Sequence, residues 1–555
     1  MESIQSELVP SLLETLTSRI RTAGVVDASQ LKGSQDEEIE ILQLAFNAIQ
    51  TYTTKTLAQL RSRRNQLAPV YRLPADVLSL VFRFADRRSK ALESSPGANL
   101  PVCVASVCQA WRAVALDTPR LWTSIATGSV PLTDLFIKRS GNAPLNIFID
   151  TDKTPLSKRA PFLFEHINRW ASLKLTGSQL LDQSALQCLR RPAPALEVLE
   201  VCHNNNLWLH GACTTVDKLF GGEAPKLREI SLTSFHLPLT LSVFSGLTKL
   251  ELTRIRYTRD SVFSQLLCAI EASPALRSLR LAEIFFDFEP DLDKLSLSAP
   301  GAIDSSRLRY LSLRLLDPWV IKFILSRIVL SSRSLLDLVL HDMQPDESLG
   351  DLFPSNPTNL HNLGATGHVL FHASPFGDMC LLRGFSQYRG TTLAITVTGG
   401  PGNGPVQRIL SSLGPTLSTM PLEMVTIDRY VNRKWSTAAL IRTLNSFPTL
   451  GILHLRNCHP KFVQALTVTL SSHPCPNMNT LIVSGCPIPD GALISTVLSR
   501  TAYNKGLQRN VTPLMGLVLC GPLNASMVVR AVLSTHLEVS WHKDDLSAPD
   551  ELEGE

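Results

Sequence analysis

The run Thr398, Gly399, Gly400, Pro401, Gly402, Asn403, Gly404, Pro405 has the composition of a phosphate cradle. Glycine-rich backbone can wrap an anion with its N–H groups at a helix N-terminus. The residue types argue against it here. No Gly-Lys-Ser/Thr follows, and the two prolines remove donors that a cradle needs. The run is expected to be a long loop between ordered elements. A second group, His454, Cys458, His459, His473, Cys475 and Cys486, gathers the imidazoles and thiols that zinc prefers. No C-x₂-C or H-x₃-H pair frames it, so these residues are read as structural. No G-x-S-x-G, H-E-x-x-H or paired CxxC motif occurs. No catalytic residue, metal site or cofactor is expected, and the chain is not expected to be an enzyme.

The elements that must position any binding residue are built from an unusually apolar chain. Of 555 residues 44% are hydrophobic and 18% charged, against about 25% charged in ordinary soluble domains. That balance suits many regular buried positions. The net charge of +5 is too small for this length to indicate nucleic acid, and no basic stripe with interleaved aromatics occurs. No stretch approaches the ~18 apolar residues of a membrane helix. The N-terminus carries acids where a secretory signal needs cations. Eleven cysteines without a small-domain spacing indicate reduced thiols, and hence the cytoplasm or nucleus.

From Leu73 to Trp122 the apolar residues follow helical spacing. Pro74 suits a first helical position, where a missing N–H costs nothing. Val104, Val107, Cys108, Trp111 and Ala115 share one face of a second helix, and Arg87 to Pro101 reads as a polar connection. Two short helices and a stub cannot bury all these groups, so an exposed apolar patch is expected, and such patches mark interfaces. The segment resembles an F-box through Leu73, Pro74, Val77, Leu78, Val81 and Phe82, then Val107, Cys108, Trp111, Leu121 and Trp122. The resemblance implies that these residues form or support a face for the small adaptor of an SCF-type ubiquitin ligase and, through it, a cullin.

A second pattern recurs beyond it, apolar residues at i, i+3 and i+5. Leu196, Leu199, Val201 fit it, as do Leu227, Ile230, Leu232; Leu247, Leu250, Leu252; Leu276, Leu279, Leu281; Leu308, Leu311, Leu313; and Leu335, Leu338, Leu340. Later copies are Leu422, Val425, Ile427; Leu450, Leu453, Leu455; Met478, Leu481, Val483; and Leu514, Leu517, Leu519. Trp170, Leu173, Leu175 form an early copy, while those near Leu360 and Leu393 are degenerate. Proline stands two positions before several copies, at Pro194, Pro225, Pro274, Pro448 and Pro476. This resembles the leucine-rich repeat, a strand, turn and helix that must stack on neighbours to bury its apolar face. The resemblance makes Asn204, Cys458 and Cys486 turn residues. Pro144 to Asp150 alternates apolar and polar, as the first strand of the stack or its cap would.

Residues 36–68 read as a long amphipathic helix with Ile39, Leu42, Phe46, Ile49, Leu60 and Leu67 along a seam interrupted by Thr53, Thr56 and Arg63. Packing of this stem back on the F-box or the first repeats is preferred to self-association. Ala23 to Gln35 looks like linker, and Lys543 to Glu555, with six acids, is expected to be disordered. The expected fold is an α/β leucine-rich-repeat solenoid over 130–542, preceded by an all-α F-box at 71–126 and a helical stem at 1–70, with a tail at 543–555. This order resembles F-box and leucine-rich-repeat proteins of mushroom-forming fungi, through LAPVYRLP, VCQAWRAVALDTPRLW and RSGNAPLNIFID. A substrate-recognition subunit of a cullin-RING ligase is the expected function, with a non-ligase repeat scaffold as the alternative. In such strands the positions between the leucines face outward. Glu200, Glu229, Lys249, Glu251, Arg280, Tyr310 and His454 are therefore the candidate target-binding residues. Their mixed charge fits a protein target better than nucleic acid or a membrane.

Overall fold

The computed structural model describes residues 35–92, 100–126, 130–153, 163–178, 189–203, 219–257, 261–286, 302–341, 347–387, 390–399, 405–469, 471–501, 512–521 and 527–542, together with residues 11, 14, 15, 18, 19 and 22. Asn204, residues 400–404 of the glycine-rich run, most of the Ala23 to Gln35 linker and the acidic tail lie outside them. The fold is mixed α/β, with an N-terminal helical region and a large C-terminal sheet. It divides into two compact units, Met1–Thr123 with Leu135–Ala143, and Ser124–Asp134 with Pro144–Glu555. Among the described residues no helix is long and apolar enough to cross a membrane.

The first unit is helical. Helix α1 (Gln35–Gln66) runs for 32 residues. In its threonine-rich middle Thr51 and Thr54 turn their hydroxyls back on the helix, to the carbonyls of Asn47 and Gln50 at 2.7 and 2.6 Å. A 3₁₀ turn, Pro69–Arg72, leads through Leu73 in extended conformation to α2 (Ala75–Leu92). The helix begins one residue after Pro74, whose carbonyl accepts from Leu78 N at 3.0 Å. It also takes in Arg87 to Leu92, the first part of the segment expected to be a connection. The single second helix expected from periodicity is two helices, α3 (Leu100–Val107) and α4 (Gln109–Leu116). Cys108 divides them. It adopts φ −161° and ψ 170°, and its sulfur accepts from Trp111 N, capping α4. A 3₁₀ turn, Pro119–Trp122, precedes α5 (Val130–Arg139).

The second unit is built on one sheet of 17 strands. In chain order the first nine are β1 (Ser124–Ala126), β2 (Leu145–Asp150), β3 (Trp170–Gly177), β4 (Val198–His203), β5 (Glu229–Thr233), β6 (Lys249–Thr253), β7 (Ser278–Ala282), β8 (Tyr310–Arg314) and β9 (Leu335–His341). Each pairs in parallel with the next. The segment expected to open the sheet, Leu145–Asp150, is thus second, with β1 at the edge. The pairing β13 (Met424–Asp428), β14 (Ile452–Arg456), β15 (Thr480–Ser484), β16 (Gly516–Cys520) and β17 (Glu538–His542) is again parallel and sequential.

Between these runs lie β10 (Thr366–Ala373), β11 (Met379–Ser386) and β12 (Thr391–Thr398). They form an antiparallel meander laid in reverse, with β12 parallel to β9 and β10 parallel to β13. One uninterrupted repeat stack over 130–542 is therefore not what the chain builds. Five residues, Ser374 to Asp378, join β10 to β11, too short a connection for a parallel crossover, so the strands must run antiparallel. Leu360, read as a degenerate copy, lies outside the sheet and makes an isolated bridge to Leu330.

The paired apolar positions of the pattern, Leu199 with Val201 through Leu517 with Leu519, are buried. The prolines before the copies do more than end a helix. Leu196 N bonds Ala193 O, Leu227 N bonds Ala224 O, Leu276 N bonds Ser273 O, Leu450 N bonds Phe447 O and Met478 N bonds Cys475 O. Each proline thus occupies the second position of a β-turn that aims the chain into its strand. Strand exits repeat as well. Ser234, Arg254, Glu283, Leu315, Arg429, Asn457, Gly485 and Gly521, each the first residue beyond a strand, have positive φ. Each donates its N–H to the carbonyl of the residue that pairs, on the next strand in the sheet, with the last residue of its own strand, as Ser234 does to Thr253, Leu315 to Val339 and Asn457 to Ser484. Helices α6 (Val262–Glu271), α7 (Pro318–Arg327), α8 (Pro405–Leu417), α9 (Thr437–Asn445), α10 (Pro460–Gln464), α11 (Asp490–Leu498) and α12 (Met527–Leu533) connect strands, and α8 to α12 pack side by side in order.

Candidate functional site

Helix α2 carries apolar residues on two faces. Leu78 and Phe82, four apart, point inward and are buried, and the Phe82 ring meets Trp111 with centroids 5.0 Å apart. Leu121 and Trp122 are also buried. Trp122 donates Nε1–H to Ala115 O at 2.8 Å, packs edge-on to Phe136 at 5.1 Å and lies under the Arg139 guanidinium at 4.4 Å. Arg112 Nε donates to Ala105 O at 2.7 Å and ties α4 to α3. These contacts fix the module internally. Cys108 is half-buried and is committed to capping; the nearby Cys108 thiol, with burial, pushes the Tyr71 phenol's pKa up.

The other face of α2 is open. Val77, Leu80, Val81 and Phe84, at i, i+3, i+4 and i+7, form one stripe in which Phe84 is 65% exposed. Leu73, Pro74, Val107 and Leu116 are exposed as well. So the residues assigned to the adaptor separate physically. Leu73, Pro74, Val77, Val81 and Val107 can touch a partner directly, while Leu78, Phe82, Leu121 and Trp122 can act only by holding them. Leu80, Phe84 and Leu116 were not singled out in the sequence. The spacing of Leu80 and Phe84 from Val77 and Val81 was the available signal. An exposed apolar stripe of this kind is costly to leave in water and marks an interaction surface.

The candidate target-binding residues project from the polar face of the sheet. In register order Lys174, Glu200, Ser231, Glu251, Arg280, Ser312 and Asp337 form one row across β3 to β9. The row neutralises itself in part. Lys174 pairs with Glu200 at 2.5 Å and Lys249 with Glu251 at 3.1 Å, while Glu229 stands opposite Lys249. Arg280 keeps a buried Nε without a partner among the described residues. Asp337 collects its neighbours: Tyr310 and Ser312 donate hydroxyls at 3.0 and 2.8 Å, and Arg314 donates Nε–H at 2.9 Å. Tyr310 is thereby anchored. His454 departs from the expectation of an open position; it is buried, with Nε2 2.8 Å from Ser484 Oγ.

The cysteines named as turn residues work on backbone. Cys486 Sγ accepts from Cys458 N at 3.2 Å, and Cys458 Sγ lies 3.4 Å from Ile427 O. Burial and the neighbouring Cys486 raise the Cys458 thiol well above its ordinary pKa. Among the described residues no group of three His, Cys, Asp or Glu side chains is placed to hold a metal ion.

A helical module with an open apolar stripe and tryptophans pinned at its base is an interaction domain. Residues 70–127 match the F-box-like family, so the chain carries an F-box-like domain. Domains of this kind commonly bind the small adaptor of SCF ubiquitin ligases. No curated protein compared with the chain matches it.

Proposed function

We propose that this protein is the substrate-recognition subunit of an SCF-type ubiquitin ligase. In this reading the α2 stripe docks on the adaptor and the sheet, as leucine-rich repeats, presents its polar face to a protein target. The observation that carries it is the exposed row Val77, Leu80, Val81 and Phe84 inside the matched residues 70–127. The repeat reading is supported by the strand exits, where one left-handed residue and one backbone bond recur from Ser234 to Gly521. The partly self-compensated charges suit a folded protein surface rather than a polyanion. The chain supplies recognition and the ligase's other subunits supply chemistry, in the cytoplasm or nucleus. The test is affinity purification of the tagged full chain from cells. Adaptor and cullin should co-purify with the wild type and be lost from a Val81→Glu/Phe84→Glu variant. A chain that captures other proteins but neither of these is a non-ligase scaffold.

A further inference from the structure

We propose that α1 pairs antiparallel with α1 of a second copy of this chain, making the protein a dimer through its N-terminal helix. Ile39, Leu42, Phe46, Leu57 and Leu60 of this stem are all exposed, Phe46 by 62%. At 100° per residue these five side chains fall within about 60° of one another, a straight stripe some 32 Å long. Ala45, which is fully buried, lies outside it. Thr53 falls on the same stripe.

The spacing of that stripe is a palindrome. The steps between positions 39, 42, 46, 53, 57 and 60 are 3, 4, 7, 4 and 3. A two-fold axis between Ile49 and Gln50 therefore sets Ile39 against the partner's Leu60, Leu42 against the partner's Leu57 and Phe46 against the partner's Thr53, each contact made twice. Self-complementarity of this kind is what a two-fold interface requires.

Charge decides the direction. The start of α1 is acidic in sequence, with Asp36, Glu37, Glu38 and Glu40, and its end is basic, with Arg61, Arg63 and Arg64. The register fixed by the apolar residues sets position 38 opposite the partner's position 61 and position 36 opposite the partner's position 63. A parallel pair would stack acid on acid and base on base. Opposed helix dipoles add to the same preference. A second copy thus satisfies the stripe and both ends at once.

The test is the mass of the full chain by light scattering, at tens of micromolar protein and low salt. The expected mass is twice the 61.0 kDa of one chain. Leu42→Lys/Leu57→Lys should raise the dimer dissociation constant at least tenfold with the far-ultraviolet circular dichroism unchanged, because both side chains are exposed. Arg61→Glu/Arg63→Glu should weaken the dimer, and adding Asp36→Lys/Glu38→Lys should restore it. Gln50→Cys, beside the axis, should cross-link to itself on oxidation and Ile39→Cys should not, with the linked peptides identified by mass spectrometry. A monomer at every concentration overturns the proposal, including one whose stripe is protected by the chain's own first residues. So does a dimer indifferent to Leu42→Lys/Leu57→Lys, or an Ile39-to-Ile39 cross-link, which only parallel helices allow.

Discussion

His372 and Asp428 stand opposite each other across β10 and β13, with Nδ1 donating to Oδ2 at 2.7 Å. This parallel pair is where the reversed meander rejoins the sequential strands. Arg456, on β14, donates Nη2–H to the same oxygen at 2.8 Å. One carboxylate, almost wholly buried, thereby ties three strands at the seam where the pattern changes. Burial alone would raise its pKa; the hydrogen bonds from His372 and Arg456, with the charge of Arg456, outweigh burial and hold it well below the usual carboxylate range.

Removing that carboxylate takes away the buried acceptor that His372 and Arg456 share, so Asp428→Ala should cost about 3–5 kcal/mol. The sign of the pH effect follows from the depressed folded pKa. The stability Asp428 adds is present above the unfolded carboxyl value of about 3.9 and is lost as pH falls through the folded value. Chemical denaturation from pH 7 down to pH 2 should show a steep acid limb in the wild type and a shallower one in Asp428→Asn. Equal limbs would remove Asp428 from the seam.

On α2 the two faces should respond differently. Phe82→Ala empties a buried site against Trp111 and should cost about 3–5 kcal/mol. Val81→Glu and Phe84→Glu lie in water and should change stability by no more than about 0.5 kcal/mol. Adaptor capture should nevertheless vanish in the latter pair, because the stripe loses its apolar centre. Melting curves alongside capture assays separate the effects; retained adaptor in a folded Val81→Glu/Phe84→Glu protein rejects the docking face.

The target face calls for charge reversal that leaves the first unit alone. Lys249→Glu with Arg280→Glu puts acids beside Glu229 and Glu251. Capture of proteins held by the sheet should fall, and adaptor capture should not change. Undiminished capture, with cross-links to the connecting helices instead, would place the target on the other face.

Thiol accessibility gives a check on the second unit's turns. Cys458 and Cys486 are buried, and burial raises Cys475 and Cys380 to about 12. These thiols should resist iodoacetamide in the native protein at pH 8, while exposed Cys103 and Cys268 react. Labelling of Cys458 at the rate of Cys268 would mean that its turn is open.

Strands with a strong apolar pattern were legible because alternate side chains enter one core: Leu199 and Val201, or Leu517 and Leu519, leave no other register. The meander was not. His368, His372 and Arg383 interleave with apolar residues, so β10 and β11 carry no copy of the leucine pattern. Cys108 was missed for a local reason. Its helical spacing from Val104 and Trp111 looks continuous, and only a sulfur accepting a backbone N–H marks the break. Site residues were harder to sort than elements. Periodicity places Leu78 and Val81 on the same helix but does not say which neighbour covers Leu78. His454 likewise has an outward parity, and its burial depends on the side chains of adjacent strands.

Left-handed strand exits were invisible for a different reason. Gly485 and Gly521 are the residue type that such a position favours, but Arg254, Glu283 and Leu315 are not. A left-handed conformation costs an ordinary residue about 1–2 kcal/mol. The bond from Leu315 N to Val339 O at 2.7 Å, and its equivalents along the sheet, hold these residues there against that cost. Leu315 is 39% exposed, so its side chain adds little burial. Leu315→Gly should therefore be neutral or stabilise by up to about 1 kcal/mol, the relief of strain being partly offset by the entropy of an unfolded glycine. Leu313→Ala, two residues earlier and fully buried, should cost about 2–5 kcal/mol. Urea titration of the two variants measures the contrast. A loss of more than 1 kcal/mol in Leu315→Gly would show that the leucine side chain, and not the backbone bond, holds the turn.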